Sequence, residues 1–136
     1  MPVENKKSEE NKKTVVGFYK KALFEGDVDT AIRLYGGKTY KQHTPFAADG
    51  FDGLRNYVKW IAKNYPNTRG EIKRVFADGD YVLLHCHYTG FFGENGDAII
   101  DIFRMEDGKV VEHWDVMQEE VPASATASGN PMFTPA

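Results

Sequence analysis

Apolar positions recur along this chain with two different periods, and the change falls near residue 70. Up to about residue 65 their spacing is that of a helix; beyond about residue 72 they alternate as in a strand. Residues 9–24 place Val15, Val16, Phe18, Tyr19, Ala22 and Leu23 on one broad apolar face, and Gly26 follows as a stop. A short second helix is expected over residues 28–35, with Asp27 positioned to cap it and Gly36-Gly37 to end it. Residues 39–43 predict a short strand closed by Pro45. The third helix has the clearest pattern, Leu54, Tyr57, Val58, Ile61 and Tyr65, with Asp52 in front and Pro66 behind.

Strands follow. Residues 72–77 and 81–89 are joined by the turn signal Asp78-Gly79-Asp80. A second turn, residues 92–96, leads to a strand over 98–105. A third turn, residues 106–109, leads to the last strand, 110–119. Short turns between successive strands imply an antiparallel meander. Helices first and an antiparallel sheet afterwards define an α+β class. A strongly curved sheet would hold the helices on its concave side and leave a cavity at its open end. Residues 122–136 are rich in Ala, Ser and Pro and predict an irregular tail. Within it, Met132-Phe133 is either an apolar plug or a loose end.

Composition narrows the class. The 136 residues suffice for one domain with a core, expected over 1–136, and are too few for two ordinary ones. Hydrophobic content of 41% with 27% charged residues reads as a folded, water-soluble chain. A net charge of −3, with Lys6, Lys7, Lys12 and Lys13 interleaved with acids, argues against nucleic acid as a partner. No run approaches membrane-spanning length, and the polar N-terminus lacks a signal peptide's apolar core, so a cytoplasmic location is expected. The lone cysteine, Cys86, forbids an intrachain disulfide.

The chemistry-bearing residues cluster in the strands. One face of each strand carries the alternate residues, so His85 and His87 share a face, as do His113 and Asp115. Asp101 lies among Ile99, Ile100, Ile102 and Phe103. A carboxylate in such surroundings is desolvated and suits acid/base work. One consistent arrangement places His87, Asp101, Phe103, His113 and Asp115 on a single concave face. The opposite face, with Cys86, Ile100, Ile102, Trp114 and Val116, then becomes a candidate dimer interface. His85, His87 and His113 also permit a three-histidine zinc site with an open position. The acidic partner expected soon after the second histidine is missing, the nearest being Glu94, so no metal is expected. His43 ends a short strand and can project into the cavity mouth.

The order of motifs then becomes informative. Tyr40-Lys41-Gln42-His43-Thr44-Pro45 precedes Asp49-Gly50-Phe51-Asp52-Gly53-Leu54 and Arg74-Val75-Phe76-Ala77-Asp78-Gly79-Asp80. His85-Cys86-His87, Asp101-Ile102-Phe103-Arg104, Gly108-Lys109-Val110-Val111-Glu112-His113-Trp114-Asp115 and Pro131-Met132-Phe133 come after. From about residue 10 to residue 133 the chain resembles the SnoaL-like polyketide cyclase family of the nuclear-transport-factor-two-like superfamily. The resemblance implies a cystatin-like cone, a curved sheet packed with the N-terminal helices, with a deep cavity and usually a dimer. It implies an Asp acid/base for an intramolecular aldol condensation without metal or cofactor, and Asp101 is the position that looks like it. It implies a pocket partner in His87 and a cavity lined by His43, His113 and Asp115 and covered by Trp60. Together with the strand faces, which add Phe103 to the wall and His85 to its rim, this makes His87 and His113 the expected catalytic partners of Asp101.

Three functions remain open at this point. The first is a cofactor-free cyclase, lyase or isomerase acting on a small apolar or carbonyl-containing ligand by proton abstraction at Asp101. The second is a non-catalytic small-molecule binding module, and the third a metal enzyme built on His85, His87 and His113. Fold alone does not choose among them.

Overall fold

The computed structural model describes residues 3–134, so the outermost residues of the expected domain, including the last two of its tail, lie outside the described residues. Helix α1 runs Val3–Tyr19 and passes without a break into a π-helical turn, Lys20–Phe24. The helix begins earlier than the apolar face predicts, because residues 5–10 are polar and mostly solvent-facing. Val15, Phe18, Tyr19 and Ala22 are buried. Helix α2 (Val28–Tyr35) has the predicted limits, and the Asp27 carboxylate accepts from Thr30 N at 3.3 Å. That bond satisfies one of the orphan amides of the first turn.

Strand β1 (Gly36–Gln42) begins directly at Gly36, with no intervening loop. Helix α3 (Gly50–Asn64) starts after Asp49. The Asp49 side chain does not cap it but accepts from Gln42 N at 2.8 Å, tying the loop back to β1. Strands β2 (Arg69–Asp78), β3 (Tyr81–Thr89), β4 (Asp97–Glu106) and β5 (Lys109–Glu119) form the expected antiparallel meander. The β4–β5 turn carries Asp107 at φ 49° and Gly108 at φ 72°, the two positive values that a tight primed hairpin turn requires.

The sheet order is β1-β5-β4-β3-β2, and β1 lies parallel to β5. The parallel edge departs from the purely antiparallel expectation. The long excursion through α3 and the meander brings β5 back beside β1 in the same direction. The sheet is curved and does not close. Bulges contribute where the register shifts, between Ile72 and Arg74 in β2 and opposite Arg104–Met105 in β5. Both Val110 and Val111 are consequently buried.

The helices fill the concave side. Phe18 packs edge-on against Phe103 at 5.9 Å, and Tyr40 stacks on Phe51 at 5.1 Å. The tail is largely irregular apart from one short turn, Ala123–Ala125, yet Phe133 is buried. It stacks on His87 at 4.2 Å and His85 at 5.1 Å, so of the two expectations for Met132-Phe133 the docked one holds, on the outer sheet face. Among the described residues no helix is long and apolar enough to cross a membrane.

Candidate active site

Asp101 sits in the middle of β4 and is 4% exposed. Cross-strand register places it between Leu84 of β3 and Asp115 of β5. Facing residues of neighbouring strands point to the same side, so Leu84, Asp101 and Asp115 share the concave face. Both oxygens of Asp101 have protein partners. Oδ1 lies 2.7 Å from His113 Nε2, and Oδ2 accepts from the Tyr19 hydroxyl at 2.9 Å. Tyr19 spends its single proton on Asp101, so the Tyr88 hydroxyl, 2.5 Å away, donates to Tyr19. Burial first, and the Asp101 charge second, raise both phenols well above the ordinary tyrosine range, which keeps them neutral donors.

The other end of His113 is equally defined. Its Nδ1 lies 2.7 Å from Gln42 Oε1 and, more distantly, 3.2 Å from the Thr44 hydroxyl. The Gln42 oxygen accepts from the backbone amides of His43 and Thr44, both at 3.1 Å, which identifies it as the acceptor end of the amide. The network therefore assigns a proton to Nδ1, and Nε2 is the nitrogen that exchanges a proton with Asp101. Phe103 supports the ring at 4.7 Å, and Tyr40 stacks parallel to it at 6.4 Å.

Asp115 is half-buried beside this pair. Burial raises its pKa; His113 opposes that, the Asp101 charge adds to it, and the Thr44 hydroxyl opposes it. Asp101, His113 and Asp115 each offer a donor atom within 4.8 Å of the others, and they are the described residues best placed to hold a cation. A cation there would have to open the 2.7 Å contact between Asp101 and His113.

These groups form the polar end of a cavity otherwise walled by Phe18, Leu23, Leu54, Ile61, Phe91, Ile99 and Met117. The space free of atoms is about 640 Å³ with the mouth included. Only about 60 Å³ admits the centre of a water-sized molecule, so the cavity is a narrow slot. Tyr57 also lines it, its phenol held neutral chiefly by burial.

Several predicted site residues lie elsewhere. His85 and His87 face the outer side of the sheet, because Leu84, Cys86 and Tyr88 take the concave face of β3. His85 Nδ1 accepts from Arg74 at 2.9 Å, and His87 donates to Glu120 at 2.6 Å. His87 is therefore no neighbour of Asp101, and His85 does not line the cavity. Three histidines split between two faces cannot form the expected metal alternative. Cys86 is correspondingly internal rather than part of an outer face, and its thiol is pushed up to about 12 by burial, then by Asp101. His43 is also outside, stacked on Trp114 at 4.9 Å and bonded to Glu112 at 2.7 Å. Trp60 does not reach the slot; it stacks behind Tyr57 at 5.9 Å and is 39% exposed. Asp101, Phe103, His113 and Asp115 do converge.

Tyr19, Tyr88, Gln42 and Thr44 are site residues that the sequence reading did not single out. Tyr19 reads there only as part of an apolar helical face. A hydroxyl on such a face needs a buried partner, and that was the available signal.

The SnoaL-like domain model matches residues 15–113. Among solved structures, the chain is similar to a candidate polyketide cyclase from Bacillus cereus at 24% identity, with a TM-score of 0.67, covering 79% of this chain and 74% of that one. A candidate SnoaL-like polyketide cyclase from Jannaschia is 15% identical with a TM-score of 0.67, over 82% and 87% of the two chains. AclR of Streptomyces galilaeus, a candidate hydroxylase, is 20% identical with a TM-score of 0.60, over 82% and 90%. At these identities the likeness establishes the fold. No curated protein matches the chain.

Proposed function

The chain belongs to the SnoaL-like domain family, and from that premise we propose that it is a small-molecule enzyme that abstracts a proton next to a carbonyl, with Asp101 as the acid/base. The observation that carries this reading is the enclosure of Asp101 at the polar end of an apolar slot, with His113 Nε2 at 2.7 Å and Tyr19 at 2.9 Å. A carboxylate fixed on both oxygens cannot swing away, and positioning of this kind is a large part of acid/base catalysis.

The reaction follows from the donors available. A substrate carbonyl enters the slot with an adjacent C–H over Asp101, which takes the proton. Asp115, whose carboxyl burial raises, with His113 opposing and the Asp101 charge adding, lines the same end of the slot and in its protonated form donates a hydrogen bond to the developing enolate oxygen. The enolate carbon attacks a second carbonyl of the same molecule, forming one C–C bond. The alkoxide so formed takes back the proton held between Asp101 and His113. No electrons leave the substrate, so aldol cyclisation, or isomerisation if the proton returns to carbon, needs only side chains. No metal or cofactor is invoked.

A second reading, a binding module without chemistry, is supported by the same contacts: a substrate must compete with Tyr19 and His113 for Asp101. We also propose a homodimer through the outer face of the sheet. Phe76 is 57% exposed and Val116 66% exposed there, and an apolar row of Phe76, Leu83, Ile102 and Trp114 crosses four strands. Native mass spectrometry of protein purified from cells reports retained ligand and oligomeric state together. With the recovered ligand as substrate, Asp101→Asn should fold normally and lose turnover on the order of a hundredfold or more. Full activity of that variant overturns the enzymatic assignment of Asp101, and recovery of the ligand unchanged by wild-type protein favours the binding module.

A further inference from the structure

The slot around Asp101 is too narrow for an extended molecule, but it is not isolated. Leu23, Ile61, Thr68 and Tyr88 line both the slot and a second, wider groove between the π-helical turn after α1, the C-terminal half of α3 and the start of β2. Water-sized molecules have about 540 Å³ there, against about 60 Å³ in the slot. The junction is a built feature. Tyr88 forms its wall, and Gly70 opposite leaves the room: a Cβ at Gly70 would lie 2.6 Å from the Tyr88 ring and 2.5 Å from that of Phe24. Beyond Gly26, Val58 and Ala62 the groove continues along α3 into a further depression of about 230 Å³.

Charge in the groove is one-sided in what remains free. Glu25, its one acid, is paired with Lys21 at 3.0 Å. Arg69, its one cation, donates only to the Thr68 carbonyl at 3.0 Å. The further depression is balanced differently: Lys59 stands there beside Asp27 and Asp29, and Arg55 is shared between Asp29 and Asp52, both at 2.6 Å. Among the described residues of the groove the acid is satisfied and the cation is not, so an anionic group at Arg69 is the complementary occupant.

We infer that this groove is the distal half of the substrate site, taking the apolar stem and anionic end of a ligand whose carbonyl end reaches Asp101, with Arg69 recognising the anion. The inference rests on the reading of the Asp101 slot as the reactive end. It names the substrate class as an elongated, carboxylate- or phosphate-ended carbonyl compound. Tyr88 stands at the passage between the two halves, with its hydroxyl already tied to Tyr19.

Octanoate and 1-octanol, which share a stem and differ in charge, are suitable probes. Titrated into isotopically labelled full-length protein, octanoate should shift the backbone amides of Gly26, Ala62 and Gly70 and bind about threefold to fivefold more tightly than the alcohol, as expected for an exposed ion pair. The Arg69→Gln variant should bind the two probes equally while keeping its affinity for octanol. Equal affinities in the wild type overturn the inference. So do shifts confined to the slot, at Ile99 and Met117, with octanoate affinity unchanged in the variant. Failure of the underlying reading has a different signature: full turnover by Asp101→Asn, with octanoate still held in the groove.

Discussion

Asp101 and Asp115 stand directly opposite one another on β4 and β5, two carboxylates on the same cavity wall with His113 beside them. Burial raises the Asp115 carboxyl, His113 beside it opposes that, and the Asp101 charge adds to it. A carboxyl whose folded-state pKa is raised contributes stability below its ordinary value, near 3.8, and loses it as pH rises through the raised value. Asp115→Asn removes that loss. The variant should gain on the wild type in Tm as pH is raised from about 4, and the gain should level off once the pH has passed the raised value. A difference that is flat with pH, measured by thermal unfolding in matched buffers, would contradict the assignment.

Tyr19 connects the two halves of the network, donating to Asp101 and accepting from Tyr88. Tyr19→Phe removes a donor from a buried carboxylate and leaves the Tyr88 hydroxyl without its acceptor. Denaturant unfolding should show a loss of about 1–3 kcal/mol. Tyr88→Phe should cost less, because Tyr19 keeps its bond to Asp101. In the double variant the second substitution should add little, giving a coupling energy on the order of 1 kcal/mol in a double-mutant cycle.

Much of the fold can be read from the chain, and the reason the site is only half legible is physical. Alternation tells which residues of β3 share a face, but not which face is turned inward. That depends on the register of β3 against β4, set by an irregular connection through residues 90–96, where Gly90 and Gly96 have positive φ. Had the connection been shorter by one residue, His85 and His87 would face Asp101. A signal was present all the same: Val82, Leu84, Cys86 and Tyr88 make a more apolar set than Tyr81, Leu83, His85 and His87. Asp101 stands out because it interrupts an apolar run, whereas Tyr19 and Gln42 become visible only when contacts 82 and 71 residues apart close.

The tautomer of His113 is open to direct observation. Gln42 Oε1 accepts three bonds, two from backbone amides and one from the imidazole. Side-chain nitrogen NMR at neutral pH should show a protonated Nδ1, with Nε2 as the position that responds when Asp101 is changed to Asn. Gln42→Ala should leave Nδ1 only the Thr44 hydroxyl, at 3.2 Å, and blur that distinction. An unprotonated Nδ1 in the wild type would mean that the proton path runs the other way.

Cys86 gives a prediction that separates the observed face assignment from the alternative. It lies on the concave side, fully buried, with its thiol raised to about 12. A thiol in that state carries almost no thiolate at neutral pH and is closed to reagents. Native protein should not react with a disulfide reagent over hours, and one equivalent should react promptly in denaturant. Rapid labelling without unfolding would place Cys86 on the open outer face.

The outer histidines should then matter for the tail and not for chemistry. His87 donates to Glu120 at 2.6 Å and stacks with Phe133 at 4.2 Å, while His85 faces Arg74 and the other edge of the same ring. Phe133→Ala should lower stability by about 1–3 kcal/mol, less than a typical core phenylalanine because the tail can relax around the gap. His87→Ala should show a smaller loss in the same unfolding assay and leave turnover of a recovered ligand within about twofold of wild type, since general acid/base groups cost at least a hundredfold when removed. Amide exchange over residues 120–134 should accelerate in both variants, because the ring and the imidazoles hold that segment to the sheet. A hundredfold loss of turnover in His87→Ala, with the fold intact, would bring His87 back into the reaction and require the slot to open towards the outer face.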